Sequence, residues 1–297
     1  MIYSAVRRLG AGLFVALFAA LVVSLVAKSS QAFAHSGLSF LWSGAWDPTH
    51  GAFGAGELIV GTLATTALAL LLAVPVGLGA AAFLSELAPR RLAAPLSLGI
   101  DLIAAVPSIV VGLWGLLVLT PAFARHVEPW LHGLPVLGWF FHGQALGPSV
   151  LLAGFVLAVM ILPTVVALSR TAMQGVSSAD REAARALGAT RWQTVRRAVI
   201  PAARSGIEAA VILATGRALG ETIAVAMVVG NRYAVPHSLL SPAATLGSAV
   251  INKFAEATSS LELSSVMALV VILLAITAVV NVGGQLLLRG RAAKAAT

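Results

Sequence analysis

Apolar residues along this chain gather into long runs, and charged positions are confined to short clusters between them. Runs free of charge, or nearly so, cover 9–27, 58–84, 96–120, 146–169, 207–229 and 264–288. Each reaches the ~20 residues that ~30 Å of hydrocarbon asks of a helix, whereas barrel strands would alternate over segments of about ten. The pattern predicts an all-α polytopic membrane protein with six transmembrane helices.

Composition agrees and removes other classes. Hydrophobic residues make up 59 % and charged residues 10 %, against about 25 % charged in a typical soluble domain. A water-soluble surface could not be covered with so few charges. No segment is repetitive or polar enough for a disordered or collagen-like reading, and with no cysteine there are neither disulfides nor thiolate metal sites.

The net charge of +8 takes its meaning from where the cations lie. With the N-terminus inside, Arg7, Arg8, Arg90, Arg91, Arg170, Arg181, Arg185, Arg191, Arg196, Arg197, Arg204, Arg289, Arg291 and Lys294 fall on the cytoplasmic side. Only Lys28, Arg125, Arg232 and Lys253 fall outside. This bias predicts that both termini are cytoplasmic. Arg7 and Arg8 before an apolar run, with Ala32-Phe33-Ala34 after it, have the order of a secretory signal, but 19 apolar residues exceed the roughly 7 to 15 of a signal core. A retained anchor is expected. The chain then divides into an N-terminal anchor with an external segment (1–57), a five-helix core (58–288) holding a cytoplasmic loop (170–206), and a basic tail (289–297).

Pro75, Pro107 and Pro163 fall inside the second, third and fourth runs, where each removes a backbone hydrogen bond and favours a kink. Gly77, Gly79, Gly112 and Gly115 read as sites of close helix approach. His126, His132 and His142 fall in the external segment 121–145 without carboxylates at ligand spacing and read as solvated loop residues.

The loop from Arg170 to Gly206 reads as two short helices. Ser177 with Asp180 and Thr190 with Gln193 have capping-box spacing, Gly188 is placed for a left-handed stop, and Pro201 ends the second helix. Ala183, Ala184 and Leu187 form a narrow apolar face beside Glu182. Such a face suits helix-in-groove recognition, with an interfacial lipid-facing helix as the bland alternative. A DNA-reading helix-turn-helix is disfavoured by tethering between two membrane spans.

Glu182-Ala183-Ala184, then Gly188, then Ile200-Pro201 resembles the EAA loop of ABC importer permeases. Ala198 and Ile200 stand where that pattern usually has isoleucine and leucine, and both remain apolar. The resemblance implies the type I ABC importer permease fold, with this loop as the coupling helix that docks into a cytoplasmic ATPase. Glu182 would then anchor or orient the helix, and Gly188 would permit the turn.

Arg217 lies near the middle of the fifth run, where a lipid-facing arginine costs about 2.5 to 3.5 kcal/mol, so it should face protein or water. Glu221, four residues on, would share its helical face and could pair with it. Either the guanidinium serves a passing oxyanion while Glu221 keeps the hold weak, or the two are a structural ion pair. Asp101, near one end of the third run, ranks lower and could simply bond a neighbouring backbone group.

The segment Gly216-Arg217-Ala218-Leu219-Gly220-Glu221-Thr222-Ile223-Ala224-Val225-Ala226-Met227, ending Gly230-Asn231, resembles the C-type permeases of phosphate-specific importers. Residues Ala104 to Gly115, with the run Val106-Pro107-Ser108, and Gly61-Thr62 share that resemblance. It implies a permease for inorganic phosphate with three partners: a homologous A-type permease, a cytoplasmic ATPase dimer and an extracytoplasmic phosphate-binding protein. No G-x-x-x-x-G-K-[ST] loop is present, so ATP and magnesium would belong to the ATPase, and the chain is expected to hold no cofactor or metal and to be no enzyme. A molybdate or sulfate permease remains the nearer alternative and a membrane lipid phosphatase the farther one.

Overall fold

The computed structural model describes residues 2–44, 46–133, 138–142 and 146–295, and among them the regular elements are helical apart from one small hairpin. Helix α1 (Ile2–Ser36) is followed by that hairpin, β1 (Trp46–Asp47) against β2 (Ala52–Phe53), and by α2 (Gly56–Ala82). After α3 (Arg90–Ala105), one membrane-length rod, Ser108–His132, is assembled from α4 (Ser108–Trp114), α5 (Thr120–Ala122) and α6 (Glu128–His132). Helix α7 (Val150–Gln174) precedes the loop helices α8 (Ser178–Ala186), α9 (Arg191–Thr194) and α10 (Ile200–Ala202). Helices α11 (Arg204–Leu219), α12 (Ile223–Val228), α13 (Leu246–Glu256) and α14 (Ser260–Ala295) complete the chain.

Helix α7 is the hub, with 67 % of its apolar window buried against none of the window in α1. Inside a bilayer, helices gain little from hiding apolar area from lipid, so association rests on close packing of small residues. Here α2 and α7 run side by side with Ala69 and Ala73 fully or nearly fully buried. A Cβ at Gly77 would lie 2.7 Å from Val165, and one at Gly154 would lie 2.6 Å from Leu68. Gly112 and Gly115 of the third rod receive Met227 and Val228 of α12 in the same way. Gly79 does not belong with them: nothing lies within 4 Å of its Cβ position, so its smallness serves no contact within this chain.

Four π turns share one cause. Ala88, Thr120, Glu128 and Ile200 each donate five residues back, to Phe83, Gly115, Phe123 and Val195, and each immediately precedes a proline. The proline ring crowds the preceding turn and contributes no N–H, so the residue before it reaches one carbonyl further along the ladder. Pro201 is one of these four and lies within the continuous rise from Arg191 to Ala202. The helix ends at Ala202, not at the proline, and meets α11 at 72°. Pro75 and Pro163 are carried inside continuous helices.

Two of the six expected spans are drawn differently. The run 96–120 breaks at Val106 and Pro107, whose ψ values of 127° and 140° are extended, as expected of a residue before proline and of the proline itself at a helix start. Its first half belongs to α3, and the membrane-length rod is instead Ser108–His132. His126 and His132 consequently lie in helix rather than in an external loop. The run 207–229 is split at Gly220 into α11 and α12. Helix α12 then ends where Ser149 N–H donates to the Val228 carbonyl (3.1 Å), and the chain turns back through a Gly230–Ala243 bridge to start α13 beside Thr222.

Helices α1 and α14 are antiparallel, joined by Ala32 N–H to Ser264 Oγ (3.0 Å) and Gln31 Nε2 to Ser260 Oγ (3.4 Å). The start of α1 and the end of α14 therefore lie on one side, and α14 there packs against α11, which follows the loop helices. Helix α14 continues unbroken through residues 289–295, so the basic tail is its last turns as far as the chain is described.

Candidate functional site

The arginine-rich loop is built by local capping. Ser177 Oγ accepts from Asp180 N–H (3.2 Å) to start α8, and Thr190 and Gln193 satisfy each other's backbone reciprocally to start α9. Between them Gly188 takes φ +83°, the left-handed conformation in which a Cβ is strained, and its N–H closes the end of α8 on the Arg185 carbonyl (2.9 Å). The expected face is then displayed outward: Ala183 and Glu182 are exposed, Ala184 is half-buried, and Leu187 is 90 % exposed. Trp192, 54 % exposed, adds to it, and Ala184, Leu187, Gly188, Ala189, Gln193 and Arg197 line a hollow of about 280 Å³.

What holds the loop is a pair the sequence pattern did not single out. Arg181 on α8 clamps Glu86, in the π turn that ends α2, through Nε (3.2 and 3.1 Å) and Nη2 (2.7 Å). Its remaining donors reach the carbonyls of Met173 (2.7 Å), Ser177 (3.2 Å) and Val176. Both side chains are largely buried, at 17 % and 7 % exposed. The Glu86 hydrogen bond, with its charge, raises the guanidinium pKa further against a smaller burial cost, so the cation is fixed. One residue thereby ties α2, the end of α7 and α8 together. Its only signal in the sequence is an acid at the end of an apolar run and an arginine on a loop, too common a combination to read.

Arg217 sits where α11 stops. Gly220 caps that helix, and its N–H reaches the Gly216 carbonyl (3.2 Å). The guanidinium is exposed on this chain, with Nη1 3.4 Å from Thr164 Oγ1, near the middle of α7. Thus the arginine lies level with the middle of α7, on a face its own chain leaves open. Asn281 of α14 packs against the preceding residue, its Nδ2 lying 2.7 Å from where a Gly216 Cβ would be.

The expected Arg217–Glu221 pairing does not occur. It presupposed one continuous helix, and the break at Gly220 takes Glu221 off the shared face. Glu221 instead accepts from Ala224 N–H (3.4 Å) at the start of α12, the position where a carboxylate meets the positive end of a helix. Among the described residues the arginine and lysine ion pairs are Arg181–Glu86, Arg204–Glu208 and Lys253–Glu256. Asp101 lines a polar cavity on α3 together with Arg170. No group of three His, Asp or Glu converges among the described residues.

Residues 73–292 match the family model described as "Binding-protein-dependent transport system inner membrane component". The chain is 43 % identical over 268 residues to the phosphate transport system permease protein PstC of Pasteurella multocida, covering 89 % of this chain and 83 % of that one. It is 42 % identical over 280 residues to the PstC of Mesorhizobium japonicum, with 93 % and 86 % covered. Among solved structures it resembles a chain of the inward-facing MetNI methionine ABC transporter, at a TM-score of 0.57 and 19 % identity over 77 % of this chain and 92 % of that one. It also resembles a chain of a bacterial ABC transporter involved in import of the acidic polysaccharide alginate, at 0.58 and 14 %, with 97 % and 98 % covered. Those two likenesses establish the fold, that of type I ABC importer permeases.

Proposed function

The chain belongs to the family of binding-protein-dependent transport system inner membrane components, and from that premise we propose that it is a permease subunit of an ATP-driven importer carrying inorganic phosphate into the cytoplasm. The relatives named as phosphate permeases support the substrate. The observation that carries the mechanical role is the exposed Leu187–Gly188 turn, clamped by Arg181 to Glu86 at the end of α2.

In this reading the basic side is cytoplasmic, both termini included. The face made by Glu182, Ala183, Ala184 and Leu187, with Gly188 for the turn and Pro201 in the rise behind it, docks into a groove on the ATPase dimer. ATP and magnesium bind there and not on this chain. When the ATPase closes, force on α8 passes through Arg181 to α2 and α7 together, so the two helices move as one lever. The homologous A-type permease covers the open face at Arg217, and the pathway runs between the two subunits. There the planar guanidinium offers paired donors to the phosphate oxygens at mid-depth, with Thr164 beside it. Glu221, at the start of α12, adds negative charge that limits how tightly the anion is held. An extracytoplasmic phosphate-binding protein delivers the substrate at the far side.

The test is to co-express the chain with a candidate ATPase and A-type permease and measure phosphate-stimulated ATP turnover and uptake in vesicles. Turnover stimulated by phosphate-loaded binding protein is expected. Stimulation by sulfate or molybdate instead would replace the substrate.

A further inference from the structure

A second oxyanion position is visible outside the Arg217 region. The cavity between α3 and the end of α7 has a volume of about 180 Å³, several times the ~30 Å³ share of one water. Its polar lining is Ser97 and Asp101 from α3 and Arg170, Thr171 and Gln174 from α7, with Leu84, Ile100, Val166 and Ala167 as apolar walls. Arg170 Nη1 donates to Ser97 Oγ, while its Nε is fully buried and has no partner. Arg170, which lines the cavity, has no carboxylate acceptor among the described residues. Asp101 is not one, for it forms no ion pair with Arg170 although both line the same space.

We propose that this cavity is a cytoplasmic-side subsite for hydrogen phosphate, with Arg170 as the cation and Asp101 as the residue that selects a protonated oxyanion. The inference rests on the phosphate reading and deepens it by placing a second station on the route. Arg170 and Gln174 supply donors for phosphate oxygens, the Thr171 hydroxyl being already donated to the Ala167 carbonyl (2.9 Å). The Asp101 carboxylate only accepts, so it is matched by the O–H that phosphate keeps near neutral pH. Sulfate has no such proton. Facing a carboxylate, it brings oxygen against oxygen with no hydrogen between, a repulsion that discriminates without any extra contact. The same chemistry would suit a lipid phosphomonoester headgroup, and the experiment separates the two.

The whole importer would be prepared without binding protein and with Arg217→Ala, so that the mid-membrane position is silent, in zwitterionic phosphatidylcholine nanodiscs. Labelled inorganic phosphate would be dialysed to equilibrium, with sulfate as competitor. Saturable binding is expected, weakened about tenfold or more by Arg170→Gln. With Asp101→Asn the preference for phosphate over sulfate should fall by about fivefold or more. Asp101 is exposed, so its variant keeps the test valid if Arg170→Gln does not assemble. Absent binding, or binding indifferent to both substitutions, would overturn the subsite. Binding abolished by adding phosphatidic acid to the discs would assign the cavity to lipid and also overturn it. Failure of phosphate to drive the unmodified importer would instead strike the function itself.

Discussion

The chain breaks helices at Gly188 and at Gly220 by two different means. At Gly188 everything is local: a positive φ, a serine cap before α8, a reciprocal box opening α9, and no atom within 4 Å of the absent Cβ. At Gly220 the backbone is ordinary, with φ −80°, and Thr222 makes no side-chain cap for α12. That break is held from outside. Thr222 is pressed by Gly247, Ala224 and Met227 by Gly112, and Val229 is tied by Ala243 N–H (3.0 Å). A turn that must present itself to another protein is built to stand alone, whereas a turn in the middle of the membrane is defined by the helices around it.

The comparison can be broken experimentally, and the largest effect is expected at the mid-membrane turn. Arg217→Ala should abolish phosphate uptake while co-purification of the subunits stays intact; normal uptake would leave the Gly220 break without a functional residue. Next comes the clamp behind the other turn. Arg181→Ala leaves Glu86 largely buried and unpaired, which costs about 3 to 5 kcal/mol in such pairs. Uptake should fall at least tenfold more than ATP hydrolysis, and equal losses of both would deny that the pair transmits force.

Smaller effects test how each break is specified. Gly112→Val puts a side chain where Met227 Sδ lies 2.7 Å away. Overpacking of this kind costs about 1 to 3 kcal/mol, read as a lower thermal midpoint, and an unchanged midpoint would mean α12 does not depend on that contact. Gly188→Val forces a β-branched residue into φ +83°, for about 1 to 3 kcal/mol. The strain is local, so pull-down of the ATPase should weaken while the thermal midpoint of the membrane core barely moves. Gly79→Ala should be the mildest, because the site is open within this chain and alanine favours helix by up to about 1 kcal/mol. A marked loss there would reveal a neighbour on the open face.

Much of this was legible from residue order. Membrane-length apolar runs, the caps Ser177 and Thr190 and the stop at Gly188 all follow from spacing and composition. The differences come from what the residues meet. The Arg217–Glu221 pairing takes one helix through Gly220, Gly79 is read against a neighbour that this chain does not place there, and Pro201 is read as a stop although a π turn carries the helix past it. Apolarity says that a segment tolerates lipid, and it is indifferent to whether the segment bends.

By itself, then, the sequence determined the class of solvent, the number of crossings to within the two broken ones, and the shape of the loop whose hydrogen bonds close within a few residues. The tertiary structure alone decided where α11 stops, that Arg181 finds its carboxylate in Glu86, outside the loop, and that Arg170 and Asp101 line one cavity. Those contacts join residues tens of positions apart, and their energy depends on two helices lying at one depth and one rotation. Neither depth nor rotation is encoded in the order of apolar residues, because in lipid every face of such a helix is equally soluble.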